Sequence, residues 1–207
     1  MRRLVAAISN ERFATYLQLA GGDRRRALQL YARNAALGSA FHWPIQALEV
    51  TLRNAANDAM TAQAGIYWFD GRLLEQPQRA AVMAAKDKLD WEAGPQLPGR
   101  VIAELSLGFW VALFAKCYEE LLWRTALYRC FDPTPARRKL HQQLNTLRRL
   151  RNRIAHHEPI LSRNLQQDYE AILWMLNSLS PTTAAWVEHH SRVREELARS
   201  SRAIGRF

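Results

Sequence analysis

Cysteine is scarce in this chain: among 207 residues only Cys117 and Cys130 occur. Two thiols are too few for a disulfide scaffold, and their spacing matches none of the paired cysteine or cysteine–histidine patterns of structural zinc sites. The sequence therefore predicts no structural metal and no cofactor. It also favours a reducing compartment, and we expect a cytoplasmic protein.

Long apolar runs are absent as well. The most apolar stretch, residues 101–117, carries Glu104 and Lys116 and is shorter than the roughly 20 residues that a bilayer crossing needs. Polar and charged residues also interrupt the first 20 residues, so they do not form the apolar core of a signal peptide. These two observations predict a protein without a membrane partner.

Lysine is rare, whereas arginine is abundant. Lysine and arginine total 29 against 19 acidic residues, which gives a formal net charge of +10, and only four of the 29 are lysine. The planar guanidinium pairs bidentately with anionic oxygens, so positive charge carried by arginine suits phosphate. This composition favours a nucleic acid or a nucleotide as partner.

The remaining composition is that of a globular protein, with 48% hydrophobic and 23% charged residues. Segments between the prolines have apolar residues at spacings of three and four, which predicts helices, and no strand pair is evident. We expect a single all-α domain. The predicted helices span residues 24–42, 45–61, 76–90, 100–129, 136–156, 165–178 and 182–200.

Turn and cap residues set several of these boundaries. Pro44 is expected to break the second predicted helix from the first, and residues 94–99 form a loop by composition. Thr134, followed by Pro135, has the pattern of a helix N-cap, and Ser180 with Pro181 repeats it.

The predicted helix 136–156 concentrates positive charge. Residues 137–153 contain seven basic residues and no acidic one, and such repulsion would be relieved by an anionic partner. On an ideal helix one face is apolar and another is polar. The apolar face carries Leu140, Leu144, Leu147 and Ile154, and the polar face carries Asn145, Arg149, Asn152 and His156.

Arg151 is the exception, because it lies on the leucine face. A buried guanidinium needs a partner. Two explanations remain open: Arg151 forms a structural ion pair with an acid on another helix, for which Glu49 is a candidate, or it reaches into a cleft that binds an anion.

The string from Leu147 to Ile160, Leu-Arg-Arg-Leu-Arg-Asn-Arg-Ile-Ala-His-His-Glu-Pro-Ile, resembles the Arg-Asn-x-x-x-His signature of HEPN domains. It is particularly similar to the Abi-like abortive-infection family, in which Arg-Asn-x-x-Ala-His-His recurs. Residues 30–54 and 100–110 also look like that family. The resemblance covers about residues 10–191 of the single domain 1–207, and residues 192–207 form a basic C-terminal tail.

This resemblance implies a HEPN-type helical bundle with additional helices, commonly a homodimer with two signature helices facing each other across a cleft. It further implies a metal-independent endoribonuclease, with Arg151, Asn152 and His156 at the signature positions. Such a protein would be a toxin or antiviral defence effector of abortive infection, controlled by an RNA or protein antagonist. The residues expected to bind RNA are Arg137, Arg138, Lys139, Arg148, Arg149 and Arg153.

The chemistry also follows from the residue types. RNA supplies its own nucleophile, the 2′-hydroxyl, so cleavage requires only a proton-transfer group and positive charge near the phosphorus. We predict that His156, which shares a face with Asn152, is that group, whereas His157 caps the helix end. The alternative function is a non-catalytic module of the same fold that binds RNA or a partner. The tryptophans are expected in the core.

Overall fold

The computed structural model describes residues 2–90 and 97–204. Within these ranges the chain forms ten α-helices and no strand, which confirms the predicted all-α fold. No helix in this part of the chain has both the length and the apolar character needed to cross a membrane. Residues 94–96 of the predicted loop 94–99 lie outside the described residues, as does Trp91. The prediction is wrong for Pro98 and Gly99, which form the start of helix α5. The helices are α1 (Arg2–Ile8), α2 (Asn10–Leu19), α3 (Arg24–Ala64), α4 (Gln76–Asp90), α5 (Pro98–Glu104), α6 (Leu107–Ala112), α7 (Arg137–Ala155), α8 (Leu165–Leu179), α9 (Pro181–His190) and α10 (Val193–Ile204).

Helix α3 is the central element of the fold. It starts at the N-cap Asp23, whose carboxylate accepts hydrogen bonds from the amides of Arg25 and Arg26 at 2.8 and 3.1 Å. It ends at Gly65, whose φ of 83° suits glycine. Between these ends α3 contacts α2, α6, α7, α8, α9 and α10. A helix with partners on so many sides is held by tertiary packing more than by its own propensity.

The expected break at Pro44 is wrong, because α3 runs through it without interruption. Pro44 removes the hydrogen bond to the Ala40 carbonyl and costs a helix interior about 3 kcal/mol. Pro44 is itself buried, and Phe41, Ile45 and Leu48 beside it are core residues. Burial of these neighbours offsets the lost bond, so the helix continues.

The predicted single helix over 100–129 is also wrong. Helix α5 ends at Glu104, and Ser106 then caps α6 by accepting a hydrogen bond from the Phe109 amide. After α6 the chain makes three short turns of 3₁₀ or π type, which are Lys116–Tyr118, Glu119–Trp123 and Leu127–Cys130. The apolar side chains of these short turns pack in the core. Helical spacing of apolar residues in the sequence therefore did not require one straight helix.

Three smaller expectations concern helix ends. Ser180 caps α9 as predicted, but the predicted helix 182–200 divides into α9 and α10. Thr134 is not an N-cap: its hydroxyl donates to the Tyr128 and Phe131 carbonyls, and α7 begins at Arg137 without a side-chain cap. Helices α1 and α2 were not among the predicted helices.

The basic C-terminal segment that the sequence sets apart contains α10, which packs against α3 and α8. Val193 is fully buried, and the Glu196 carboxylate accepts from Arg33 of α3 at 3.0 Å. At the other end of the chain, α2 packs on α3 through Tyr16, whose ring meets Tyr31 edge to face. Helices α2 and α10 are therefore both packed on the central helix.

Candidate functional site

Helix α7 is amphipathic, as its sequence predicts, although its buried face is shifted. Leu140, Leu144, Leu147 and Leu150 are all buried. Ile154, which the prediction placed on that face, is only partly buried, because the helix ends one residue beyond it. The polar side chains of the carboxyl end are therefore displayed around the last turn.

The carboxyl end of α7 closes in a Schellman motif. The His157 amide donates to the Ile154 carbonyl at 3.1 Å, and the Glu158 amide donates to the Arg153 carbonyl at 2.8 Å. This pattern requires a left-handed residue at position 157, and His157 has a φ of 56°. Glycine is the usual residue there, so a histidine in this conformation is strained.

A buried asparagine ties the following segment to α3. The Asn34 side chain accepts from the Ile160 amide at 2.7 Å and donates to the Glu158 carbonyl at 3.2 Å. From the other side, Arg153 donates to the Pro159 carbonyl at 3.1 Å. The backbone that carries both histidines is thus fixed to two helices.

Arg151 lies opposite Glu49 of α3, the partner that the sequence analysis named. Its Nε is 3.3 Å from one carboxylate oxygen, and one terminal nitrogen is 3.5 Å from the other. Although Arg151 lies on the leucine face, 36% of its side chain is exposed. The pair therefore sits at an accessible edge, which makes the two explanations for Arg151 compatible.

That edge belongs to a cavity of about 830 Å³ between α3 and the end of α7. The cavity follows α3 from Tyr31 to Arg53, a distance of about 33 Å at the helical rise. Its walls are largely apolar, with ionisable side chains grouped around them. The ionisable lining residues are Tyr16, Tyr31, His42, Glu49, Arg53, Arg151, His157 and Glu158.

The structure separates the three signature residues. Arg151 lines the cavity, whereas Asn152 and His156 do not. The histidine that lines the cavity is His157. His156 is the C-cap residue of α7 and its side chain is exposed. The imidazole of His156 makes no hydrogen bond among the described residues, so it is free to meet a ligand from the solvent side.

The basic residues predicted to bind RNA fall into two groups. Arg137 does not present its guanidinium to solvent, contrary to the predicted role in RNA binding. Its side chain is only 10% exposed, donates to the Phe114 carbonyl and pairs with Glu119 at 3.2 Å. Arg148 is half-buried, and Arg153 is held by Glu158 and Pro159. The members of the set with exposed side chains are Arg138, Lys139 and Arg149.

His141 lies on α7 between the two buried or half-buried arginines. Burial lowers its pKa, and the guanidiniums of Arg137 and Arg148 lower it further. The Asn145 amide nitrogen is 2.9 Å from His141 Nε2, a hydrogen bond that the neutral ring accepts. Since the lowered pKa favours the uncharged imidazole, we do not expect His141 to bind phosphate.

The expectation that all tryptophans lie in the core is wrong. Trp68, Trp110 and Trp123 are buried, but Trp174 is 38% and Trp186 is 53% exposed. Lys139 of α7 lies 5.9 Å from the centre of the Trp174 ring. Helical spacing could not reveal that Trp174 and Trp186 are exposed, because the apolar face of each helix continues through these positions.

Among the described residues, no three histidine, cysteine or acidic side chains lie close enough together to share a metal ion. Comparison of the chain with protein-family models, with curated proteins and with solved structures finds no match. The candidate site is therefore inferred from the geometry and chemistry of its own residues.

Proposed function

We propose that this chain is a metal-independent endoribonuclease of the HEPN type. The observation that supports it best is the end of α7, where Arg151 is held at the edge of a cavity and His156 is exposed one residue before His157 closes the helix. The net charge of +10 favours an anionic substrate of this kind.

Each residue has a role in the proposed reaction. The 2′-oxygen of RNA attacks the adjacent phosphorus, the bond to the 5′-oxygen breaks, and the products are a 2′,3′-cyclic phosphate and a 5′-hydroxyl. His156 transfers the proton, and Arg151 stabilises the charge on the phosphoryl oxygens. Asn152 lies one turn before His156 and, in the described part of the chain, makes no hydrogen bond to its ring, so we assign it to holding phosphate.

Two proton transfers are needed, one from the 2′-hydroxyl and one to the leaving oxygen. We propose that a second copy of the chain supplies the second histidine, in a homodimer whose interface includes α7. The exposed position of His156 is consistent with this arrangement, as is the open cavity next to it. Light scattering that shows a strict monomer at micromolar concentration would contradict it.

The decisive experiment is incubation of the purified protein with mixed RNA in EDTA, followed by analysis of the product ends. We expect cleavage to survive the chelator and to leave 2′,3′-cyclic phosphate and 5′-hydroxyl termini. Products with 5′-phosphates, or activity lost in EDTA, would exclude this mechanism. His156→Ala, purified in parallel, controls for contaminating ribonuclease.

The Arg151–Glu49 ion pair favours a second candidate function. An arginine already neutralised by a carboxylate suits a module that binds RNA or a partner without cutting it. In the EDTA incubation such a module would leave RNA intact, and in a separate filter-binding measurement it would retain RNA. Under either function we propose a cytoplasmic effector of abortive infection, a toxin or antiviral defence protein held in check by an RNA or protein antagonist.

A further inference from the structure

A second cavity lies on the surface of α8 and α9, away from the end of α7. It has a volume of about 370 Å³ and is lined by Leu173, Trp174, Asn177, Pro181, Ala184, Ala185 and Glu188. Lys139, whose ammonium lies over one face of the Trp174 ring at 5.9 Å from its centre, is twelve residues before Arg151 on α7, or about 18 Å along its axis.

We infer that this second cavity binds a single nucleobase of a single-stranded nucleic acid, with Trp174 as the stacking surface. Exposed aromatic rings beside cations are how proteins bind unpaired nucleotides, because every base has a π face and every linkage has a phosphate. Trp174 provides the ring, and Lys139 provides the cation. The cavity volume of about 370 Å³ lies at the lower end of the range for small-molecule sites.

The polar residues of the second cavity indicate which bases fit. Glu188 accepts from Arg194 through Oε1 at 2.5 Å, and its other oxygen receives no hydrogen bond from a described residue. The Asn177 side chain is exposed at the same wall. A carboxylate oxygen accepts from an exocyclic amino group, which adenine, cytosine and guanine carry and uracil lacks. The site should therefore prefer an amino-bearing base.

This inference does not require that the protein cleaves RNA. The test uses fluorescein-labelled 2′-O-methyl hexamers of adenosine and of uridine, which have no 2′-hydroxyl to attack, and an abasic hexamer of equal charge. We expect fluorescence anisotropy to report tighter binding of the adenosine hexamer than of either other probe. Equal affinity for the adenosine and abasic hexamers would overturn the inference, whatever the outcome of the cleavage assay.

Variants of the cavity then assign the binding to Trp174. Trp174→Ala should weaken binding of the adenosine hexamer about tenfold, and Trp174→Phe should retain most of it. Lys139→Ala should weaken all three probes, whereas Lys116→Ala, which removes the same charge from an exposed site elsewhere, should not. Unchanged binding in Trp174→Ala, or an equal loss in Lys116→Ala, would refute the assignment.

A further variant serves if Trp174→Ala does not fold, which its circular dichroism melt would reveal. Ala185 is exposed and lines the cavity, so Ala185→Phe fills the space without removing a core contact. This variant should lose base-dependent binding and keep the affinity for the abasic hexamer. Full retention of the preference for adenosine would show that the base binds elsewhere.

Discussion

The strained histidine at the end of α7 allows structure and chemistry to be separated by one substitution. His157 has a φ of 56°, at a Schellman position where glycine is the usual residue. His157→Gly removes the imidazole from the cavity and leaves both backbone hydrogen bonds of the motif in place. We expect the variant to be more stable than the parent and to keep its cleavage activity.

The magnitude follows from two opposing terms. A left-handed conformation costs a residue with a Cβ about 1–2 kcal/mol, which glycine does not incur. Glycine loses more backbone entropy on folding, which costs roughly 0.5–1 kcal/mol. The net gain is therefore up to about 1.5 kcal/mol, and in a chain of this length it raises the melting temperature by up to about 6 °C.

The assay combines thermal melts with RNA cleavage at matched folded concentration. His156→Ala is the matched variant, because it removes the neighbouring imidazole from an exposed position. It should leave the melting temperature unchanged and reduce cleavage at least about 100-fold, the lower range for loss of a general acid–base group. His157→Asn is a second control, since asparagine tolerates the left-handed region.

Two results would refute this reasoning, each in a different part. A lower melting temperature for His157→Gly would show that the conformation of His157 is not strained or that its ring contributes packing. A higher melting temperature with cleavage lost would show that His157, which lines the cavity with Arg151, is the proton-transfer group. The assignment to His156 would then be wrong.

Three further predictions concern the other ionisable residues of α7. Arg137→Ala should destabilise the fold in a thermal melt, by less than the about 3–5 kcal/mol of a fully buried ion pair because Glu119 is 33% exposed, whereas the exposed Arg149→Ala should leave stability unchanged and lower the salt dependence of RNA binding. Arg151→Ala should abolish cleavage and cost less than about 1 kcal/mol of stability, since its pair with Glu49 is partly exposed; a larger loss would make it a structural residue. Burial lowers the pKa of His141 below its ordinary value of 6.5, so stability present above that pH should decrease as the pH falls through it; His141→Gln should flatten this dependence, and an unchanged profile would contradict it.

Local sequence patterns determined much of the helical structure. The helices at Gln76–Asp90 and Leu165–Leu179 agree with their predicted ranges within one residue, because their apolar spacing continues without interruption between clear start and stop signals. The leucine face of α7 and the cap at Ser180 are equally local properties. Spacing also singled out Arg151 as a side chain that needs a partner, and Glu49 was named as a candidate.

Tertiary structure decided what these patterns left open. Pro44 lies inside α3 because buried neighbours offset a lost hydrogen bond, and that compensation depends on residues distant in sequence. Arg137 is buried and Trp174 is exposed for a related reason: whether a side chain meets solvent depends on which helix packs over it. At the end of α7 the left-handed turn at His157, anchored by Asn34, determines which histidine lines the cavity beside Arg151. An ideal helix carried through both histidines could not predict this, because the helix ends before it reaches them.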